Sequence, residues 1–285
     1  MIAANPTIAS YDTFHDHGRI NSFLKSSLRI HAHLDWRKPQ EWFNNPPCVL
    51  AYDDSSIASI LSLAPDPEHI HWVRFFAVKR EEEYTPLWNT LFSAIQEIHP
   101  FSSDDIVISL CYQNWMETML AAQGWKKIQK VIVLNWMGTL PKKKQGDQNI
   151  SIRQMKAADL PQVFQIDDSC FSSCWKFSQT TTTLAFEQSA YATVAEVDGQ
   201  IAGFQISTSD LYRAHLTRLA VRPTLHNQGI GARLVENMLW HFSVPWIKQI
   251  TVNTQHDNKA SIHLYEKLGF EYQSEFFPIY QYPTA

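Results

Sequence analysis

A strand that runs into a glycine-containing loop and then into a helix is the strongest constraint on how this chain folds. Residues 216–233 read LTRLAVRPTLHNQGIGAR, where the apolar run ends at Val221 and helical periodicity resumes at Ile230. This order leaves several backbone N–H groups unpaired at the positive end of a helix dipole, and Gly229 and Gly231 keep side chains away from them. The stretch therefore predicts an anion site, although its spacing fits neither GxxxxGKS/T nor GxGxxG.

A second stretch, residues 258–270 (NKASIHLYEKLGF), predicts a helix that presents Asn258 and Tyr265 to whatever the loop holds. Together the two stretches resemble the GNAT N-acetyltransferases. Their cofactor loop reads Gln/Arg-x-x-Gly-x-Gly/Ala after a strand ending in Ala-Val, and their last helix commonly carries N-x-x-A-x-x-x-Y-x-x-x-G-F. The matching residues are Ala220, Val221, Gly229, Gly231, Asn258, Ser261, Tyr265, Gly269 and Phe270, and the resemblance covers residues 150–282.

The resemblance implies that the chain binds acetyl-CoA as a co-substrate at the end of the strand and along the loop. The cofactor-binding residues that it implies are Leu219, Ala220, Val221, His226, Asn227, Gln228, Gly229, Ile230, Gly231, Ala232 and Asn258. His226 departs from the family, which has Gln or Arg at that position. Because backbone amides hold most of the pyrophosphate, we expect this change to weaken or reshape one contact and to leave the site intact.

Tyr265 is the candidate catalytic residue, because a phenol at this place in the motif can protonate the departing thiolate. The alternative is a core aromatic side chain, and Asn258 can equally be an ordinary helix N-cap. In ribosomal-protein N-terminal acetyltransferases a Glu before the last helix serves as the base, and the matching residue here is Asn253. The open candidates for the base are Glu196, Asp210, His215, His256, a water relay, or an amine that enters already neutral.

The two halves of the chain predict an internal duplication. Ala77-Val78 and Ala220-Val221 are 143 positions apart, and Gly124-Trp125 and Gly269-Phe270 are 145 apart. The fold class predicted is α/β (α+β), with tandem GNAT-like domains that each have a mixed, mostly antiparallel twisted sheet flanked by helices. The predicted domains are residues 1–140, a linker at 141–149, and a catalytic domain at 150–285.

The first half lacks the features of a cofactor site. Residues 79–86 (KREEEYTP) contain three consecutive carboxylates and no glycine, and such a loop repels phosphates. Leu120 aligns with Tyr265, and Gln113 aligns with Asn258. We therefore expect a GNAT-like domain without a cofactor loop, or a partner-binding or lid domain, with an unrelated α/β domain as the alternative.

Periodicity predicts most of the helices and strands. Apolar residues recur at helical spacings from Ile20 to Phe43, with an interruption at Pro39, and residues 69–78 (HIHWVRFFAV) predict one apolar strand. Two predicted strands flank Asp198-Gly199, a dipeptide that favours a tight hairpin turn.

Composition restricts the classes of protein that fit. A net charge of −4 without a basic face argues against nucleic-acid binding, and the chain has neither a run of eighteen apolar residues nor a signal-like start. The four scattered cysteines favour a reducing cytoplasm, and Cys170 and Cys174 lack the companions of a metal site. We thus expect a cytoplasmic protein that does not bind membranes, nucleic acid or metal.

The function predicted is acetyl-CoA-dependent acetylation of a primary amine. The acceptor is a small molecule, a peptide or protein N-terminus, or a lysine. Two alternatives stay open at this point: an acetyl-CoA-binding sensor or scaffold without turnover, and a transferase that uses another acyl-CoA.

Overall fold

The computed structural model describes residues 6–54, 56–80, 83–141 and 149–284. The chain divides into two compact units, the first formed by Met1–Ile128 with Pro278–Ala285 and the second by Gln129–Phe277. This division differs from the predicted boundaries, since residues 129–140 lie in the second unit and residues 278–285 in the first. Most of the predicted linker, residues 142–148, lies outside the described residues.

The first unit combines antiparallel strands with helices. Its elements are β1 (Thr7–Ser10), α1 (Thr13–Ser26), β2 (Arg29–Ala32), α2 (Pro39–Trp42), β3 (Cys48–Asp53), β4 (Ser56–Ser62), β5 (Ile70–Trp72), β6 (Phe75–Val78), α3 (Tyr84–Ile98), β7 (Ile106–Leu110) and α4 (Asn114–Ala122). Strands β1, β3, β4, β6 and β2 are hydrogen bonded in that order. Strand β5 pairs in parallel with β7, whose other neighbour is the antiparallel C-terminal segment 279–281.

Helix α3 shows why this unit has a core. Its buried residues recur at the spacing of one helical face, which packs on β3, β4 and β6. Trp88 lies in this face and stacks edge-on against Phe76 of β6, with ring centroids 5.0 Å apart. The core of the unit is thus built from one helix face and the sheet beneath it.

The second unit has a mixed sheet with helices. Its elements are β8 (Lys126–Trp136), β9 (Ile150–Gln154), α5 (Leu160–Cys170), α6 (Gln179–Glu187), β10 (Tyr191–Val197), β11 (Gln200–Ser209), β12 (Arg213–Val221), α7 (Ile230–Phe242), β13 (Gln249–Gln255), α8 (Lys259–Lys267) and β14 (Phe270–Gln281). The first three residues of β8 and the last four of β14 belong to the first unit. The order β8-β13-β12-β11-β10-β9 is antiparallel except for the parallel pair β12–β13. Mixed, mostly antiparallel sheets flanked by helices confirm the predicted fold class.

The hairpin between β10 and β11 confirms the turn that the sequence predicts. Asp198 and Gly199 both have positive φ angles, 51° and 74°, and lie between the paired residues Val197 and Gln200. Two consecutive left-handed residues match the right-handed twist of the flanking strands, which is why an Asp-Gly pair is favoured there.

The largest difference from the predicted elements lies in residues 20–43. Helix α1 ends at Ser26 and the chain then forms β2, where helical spacing predicts more helix. Strand β2 exists because the edge of β6 offers backbone partners to residues 29–32. Such long-range hydrogen bonds leave no trace in local periodicity. Strand β1 is also absent from the predicted pattern, and the predicted strand 69–78 is divided into β5 and β6.

In the described part of the chain, every helix falls short of the length and apolar character that crossing a membrane requires.

Candidate active site

Strands β12 and β13 run side by side for only part of their length. Their parallel pairing joins residues 213–216 to residues 249–252. Beyond this point β12 continues to Val221 and β13 to Gln255, and the described residues form no pairs between them. Backbone groups of residues 217–221 that face away from β11 therefore lack a strand partner. The Val221 carbonyl accepts from the side chains of His226 and Cys170, and water or a ligand must satisfy the others.

A β-bulge lies where the two strands part. The pairing of β11 with β12 shifts between Ile206 and Ser207, so that Thr217 is the extra residue on β12. Leu216 packs with residues of α7, whereas Arg218 reaches α5. Residues two apart normally share a face of a sheet, so the bulge has reversed the alternation. Because a bulge bends its strand and increases the local twist, it accounts for the divergence at this point.

The loop after β12 exposes a run of backbone N–H groups. Following a short 3-10 turn at Pro223–Leu225, Asn227 and Gly229 adopt left-handed conformations with φ of 63° and 79°. The first helical hydrogen bond of α7 joins the N–H of Arg233 to the carbonyl of Gly229. The N–H groups of residues 227–232 have no partner among the described residues. They lie at the helix N-terminus, where the dipole favours an anion.

The two loop glycines show what surrounds this N-terminus. A Cβ atom built on Gly229 meets no heavy atom within 4 Å, so the space in front of it is open. A Cβ on Gly231 would lie 3.4 Å from Cδ2 of Leu264 and 3.8 Å from Cγ2 of Val221. The start of α7, the end of β12 and the middle of α8 therefore meet at Gly231.

His226 turns back towards the strand. Its Nε2–H donates to the carbonyl oxygen of Val221 at 2.8 Å, and the Cys170 thiol donates to the same oxygen at 3.1 Å. The imidazole thus braces the loop against the end of β12. Arg222 is also tied to the sheet, because its Nε donates to the Ile201 carbonyl at 2.7 Å.

Helix α8 begins with a capping residue and carries the candidate acid. The Asn258 side-chain oxygen accepts a hydrogen bond from the N–H of Ser261 at 3.1 Å, which confirms the N-cap interpretation. Tyr265 is buried in the hydrophobic cluster that contains Leu216 and Val252, the last paired residues before the strands part. Burial raises the pKa of the Tyr265 phenol above its usual value, so the group stays protonated near neutral pH.

The candidate bases differ in their partners. Glu196 accepts a hydrogen bond of 2.8 Å from Arg153. Asp210 accepts from two backbone N–H groups and from Arg213, and these bonds lower its pKa. Both carboxylates are therefore occupied by structural contacts, and His256 is exposed after the end of β13.

His215 lies beside the point where the strands part. It is opposite Thr251, one pair before the last, and its Nδ1 is 2.8 Å from the Thr251 hydroxyl oxygen. Burial lowers the pKa of His215 to about 4, so the imidazole is neutral near pH 7. Asn253 lies on β13 beyond the paired residues and is exposed.

A buried ion pair that no sequence motif predicts joins β12 to α5. Nε and Nη2 of Arg218 lie 2.6 and 2.7 Å from the two carboxylate oxygens of Asp167, and Nη2 also donates to the Trp175 carbonyl at 2.7 Å. The guanidinium carbon lies 3.4 Å from the ring centroid of Phe171 and 3.9 Å from that of Phe177. This arrangement, the Arg218 clamp, holds residues 171–177 against the strand. The only signal in the sequence is an arginine inside an apolar strand.

Comparisons with known proteins agree with this geometry. Residues 160–270 match the model of the Acetyltransferase (GNAT) family. Over 120 residues, 42% of this chain and 80% of the relative, the chain is 27% identical to the ribosomal protein bS18-alanine N-acetyltransferase of Escherichia coli.

Solved structures resemble the chain over most of its length. A GCN5-related N-acetyltransferase from Sphaerobacter thermophilus is similar with a TM-score of 0.59 at 12% identity, covering 99% of this chain and 96% of its own. A tandem GNAT protein from the clavulanic acid biosynthesis pathway is similar with a TM-score of 0.57 at 15% identity, covering 85% of each chain. At these identities the likeness shows the fold, and the second structure agrees with the predicted duplication.

The Arg218 clamp predicts a large difference between two neighbouring aspartates. Asp167→Asn leaves the buried guanidinium without its countercharge, and we expect the free energy of unfolding to fall by about 3–5 kcal/mol. Asp168→Asn is the control, because Asp168 is 53% exposed and pairs with Lys176 at the surface; we expect a change below about 1 kcal/mol. Urea titration of both variants measures the difference, and equal effects would contradict the assignment of the clamp.

Proposed function

Because residues 160–270 match the model of the Acetyltransferase (GNAT) family, we propose that the second unit transfers an acetyl group from acetyl-CoA to a primary amine. The observation that carries this proposal is the divergence of β12 from β13. The open part of β12 leads into the loop with the exposed N–H groups of residues 227–232. One open strand edge and one anion site follow each other along the chain. This order suits a ligand with an extended amide-containing arm joined to a diphosphate.

In the proposed complex the pantetheine arm of acetyl-CoA lies along residues 217–221 and takes hydrogen bonds that β13 does not supply. The diphosphate lies against the amides of residues 227–232. Gly229 supports this proposal, because the space before it is open and a side chain there would project towards the anion. Leu219 and Val221, which pack towards α7, would line the arm.

The reaction needs an oxyanion donor, an acid and a neutral amine. The amine nitrogen attacks the thioester carbonyl carbon, a backbone N–H near Val221 stabilises the oxyanion, and the carbon–sulfur bond then breaks. Tyr265 gives its proton to the leaving thiolate. Its raised pKa supports this role, since a general acid must arrive at the reaction protonated.

His215 is the proposed route by which the amine loses its proton, directly or through one water molecule. Of the four titratable candidates it is the one next to the last strand pair, where the edge opens. Glu196 and Asp210 form ion pairs with arginines, which argues against either carboxylate as the general base. A pKa of about 4 keeps the His215 lone pair available across the neutral range.

The acceptor in this proposal is an amine of a protein or peptide, or a small amine. The relative from Escherichia coli is named as an alanine N-acetyltransferase of a ribosomal protein, which supports a protein α-amine as the first acceptor to test. The Arg218 clamp fixes residues 171–177 beside β12, so this segment is the proposed acceptor wall. The cytoplasm is the proposed compartment, in line with the free cysteines.

Acetyl-CoA binding is the first test of this function. We expect saturating acetyl-CoA to raise the melting temperature of the full chain, because a ligand at one hundred times its Kd stabilises by about 2.7 kcal/mol. Gly229→Glu places a carboxylate before the diphosphate site and should weaken binding at least about tenfold. Gly199→Glu is the control, since Gly199 has a similar φ of 74° and equally open surroundings. An unchanged melting temperature with millimolar acetyl-CoA would refute the proposal.

Removal of the phenol tests the acid. We expect Tyr265→Phe to lower kcat by about a hundredfold or more while the Kd for acetyl-CoA stays within about twofold, because the ring keeps its packing. Tyr191→Phe, which removes a hydroxyl bonded to Asn237, should keep native turnover. Thiol release from acetyl-CoA with a panel of amines and N-terminal peptides measures both. Native turnover by the Tyr265 variant would show that another group supplies the proton.

A pH series tests His215. The folded pKa lies below the unfolded one, so the unfolded state binds more protons between pH of about 6.5 and 4. The free energy of unfolding therefore falls as the pH is lowered through this window, and His215→Gln should reduce that fall. We also expect His215→Gln to lower kcat/KM at pH 7 at least about tenfold, with His256→Gln close to native. Unaltered kcat/KM would favour a solvent-borne route for the proton.

A further inference from the structure

The first unit repeats the strand arrangement that opens the site of the second. Residues 59–62 of β4 pair with residues 75–78 of β6 just as residues 203–206 of β11 pair with residues 218–221 of β12. Strand β5, which precedes β6, pairs in parallel with β7, as the start of β12 pairs with β13. The continuous chain of β5 and β6 is thus the counterpart of β12.

The strands of the first unit also part. The pairing of β5 with β7 covers residues 70–72 and 106–108, and the N–H of Val73 adds one more bond to the Ile108 carbonyl at 2.8 Å. From there β6 leaves β7. The edge of β6 that faces away from β4 corresponds to the open edge of β12 in the second unit.

Here, however, the edge is occupied by the chain itself. Residues 29–32 of β2 pair antiparallel with residues 75–78 of β6. The pairing is extended at both ends, because the N–H of Leu28 donates to the Val78 carbonyl at 3.1 Å and the N–H of His33 to the Arg74 carbonyl at 2.9 Å. The whole length of β6 is therefore satisfied by residues 28–33.

Strand β2 also contacts the other side of the gap. The Tyr112 hydroxyl, just after β7, donates to the carbonyl of Ala32 and accepts from the N–H of Ala32 at 3.0 Å. Tyr112 stacks on His31, with ring centroids 5.3 Å apart, and Nε2 of His31 lies 3.3 Å from the Val73 carbonyl oxygen. The Arg29 guanidinium lies 5.9 Å from the ring centroid of Trp115 in α4. The strand thus fills the space between β6 and the segment that follows β7.

The helix that follows β6 carries its own negative charge. Glu83 is the N-cap residue of α3 and is buried, and its carboxylate lies 3.3 Å from Arg80. In the second unit the corresponding position is Gly229 at the start of α7. A carboxylate at a helix N-terminus satisfies the dipole that would otherwise attract a phosphate.

We propose that residues 28–33 permanently take the place of the pantetheine arm in the first unit, so that each chain binds one acyl-CoA, in the second unit. The statement about stoichiometry rests on the proposed function, whereas the occupied edge of β6 stands on the contacts above. The first unit is then a scaffold that contains its own replacement for the cofactor.

Two measurements on the full chain test this proposal. Titration calorimetry with acetyl-CoA should give one site in the native protein, and Gly229→Glu should weaken that site at least about tenfold; two sites, or one site whose affinity the substitution leaves unchanged, would overturn the proposal. In hydrogen exchange, residues 28–33 and 75–78 should exchange slowly with and without acetyl-CoA, while residues 217–232 gain protection. Faster exchange of residues 28–33 on adding acetyl-CoA would mean that the strand is displaced, and would also overturn it.

Two Tyr→Phe variants test the role of β2 by hydrogen exchange without any ligand. Tyr112→Phe removes the hydroxyl that bonds to Ala32, so amides of residues 29–32 should exchange at least about tenfold faster. Tyr282→Phe is the control, because it removes a hydroxyl in the same unit that accepts from Gln96 at 2.9 Å. If the native chain binds no acetyl-CoA, the proposed function fails; the strand's role is then decided by exchange alone. Exchange of residues 28–33 as fast as that of the chain ends would refute that role.

Discussion

A strand that leaves its parallel neighbour needs new partners for its backbone N–H and C=O groups, and this requirement governs the structure of both units. In the second unit β12 and β13 pair only as far as Leu216 and Val252, and the bulge at Thr217 turns β12 away. Backbone groups along a strand edge need hydrogen-bond partners, so another part of the chain, water or a ligand must complete this edge. The loop and helix that follow present unpaired N–H groups next to this edge.

The two units satisfy this constraint in different ways. In the second unit the edge is open and leads to Gly229 and the start of α7. In the first, β2 completes the edge of β6, and Glu83 lies at the start of the following helix. Duplicated folds can therefore keep the same strand divergence while only one copy leaves the edge open. The difference lies in a short segment of chain and one helix N-terminus, while the pairing of β4 with β6 corresponds to that of β11 with β12.

Much of the site follows from local sequence, and part of it does not. The positive φ at Gly229 and the cap at Asn258 are set by residues close in sequence, which is why motifs predict them. The direction of His226 and the Arg218 clamp depend on atoms far along the chain: His226 bonds to the last carbonyl of β12, and Arg218 finds Asp167 51 positions earlier. The packing of the whole fold decides which side chains become partners over such sequence separations, and a local motif carries no information about that packing.

By itself the sequence determined the order of helices and strands in the second unit, the turn at Asp198-Gly199, the duplication and the glycine-containing loop before α7. Each is encoded by periodicity or by the conformational freedom of a few residues. Only the tertiary structure decided that residues 29–32 form a strand, and that residues 129–136 of β8 and residues 278–281 of β14 lie in units other than the predicted ones. These outcomes depend on which strand edge is left without a partner. Whether a strand edge has a partner is a property of the assembled sheet, and no local stretch of sequence encodes it.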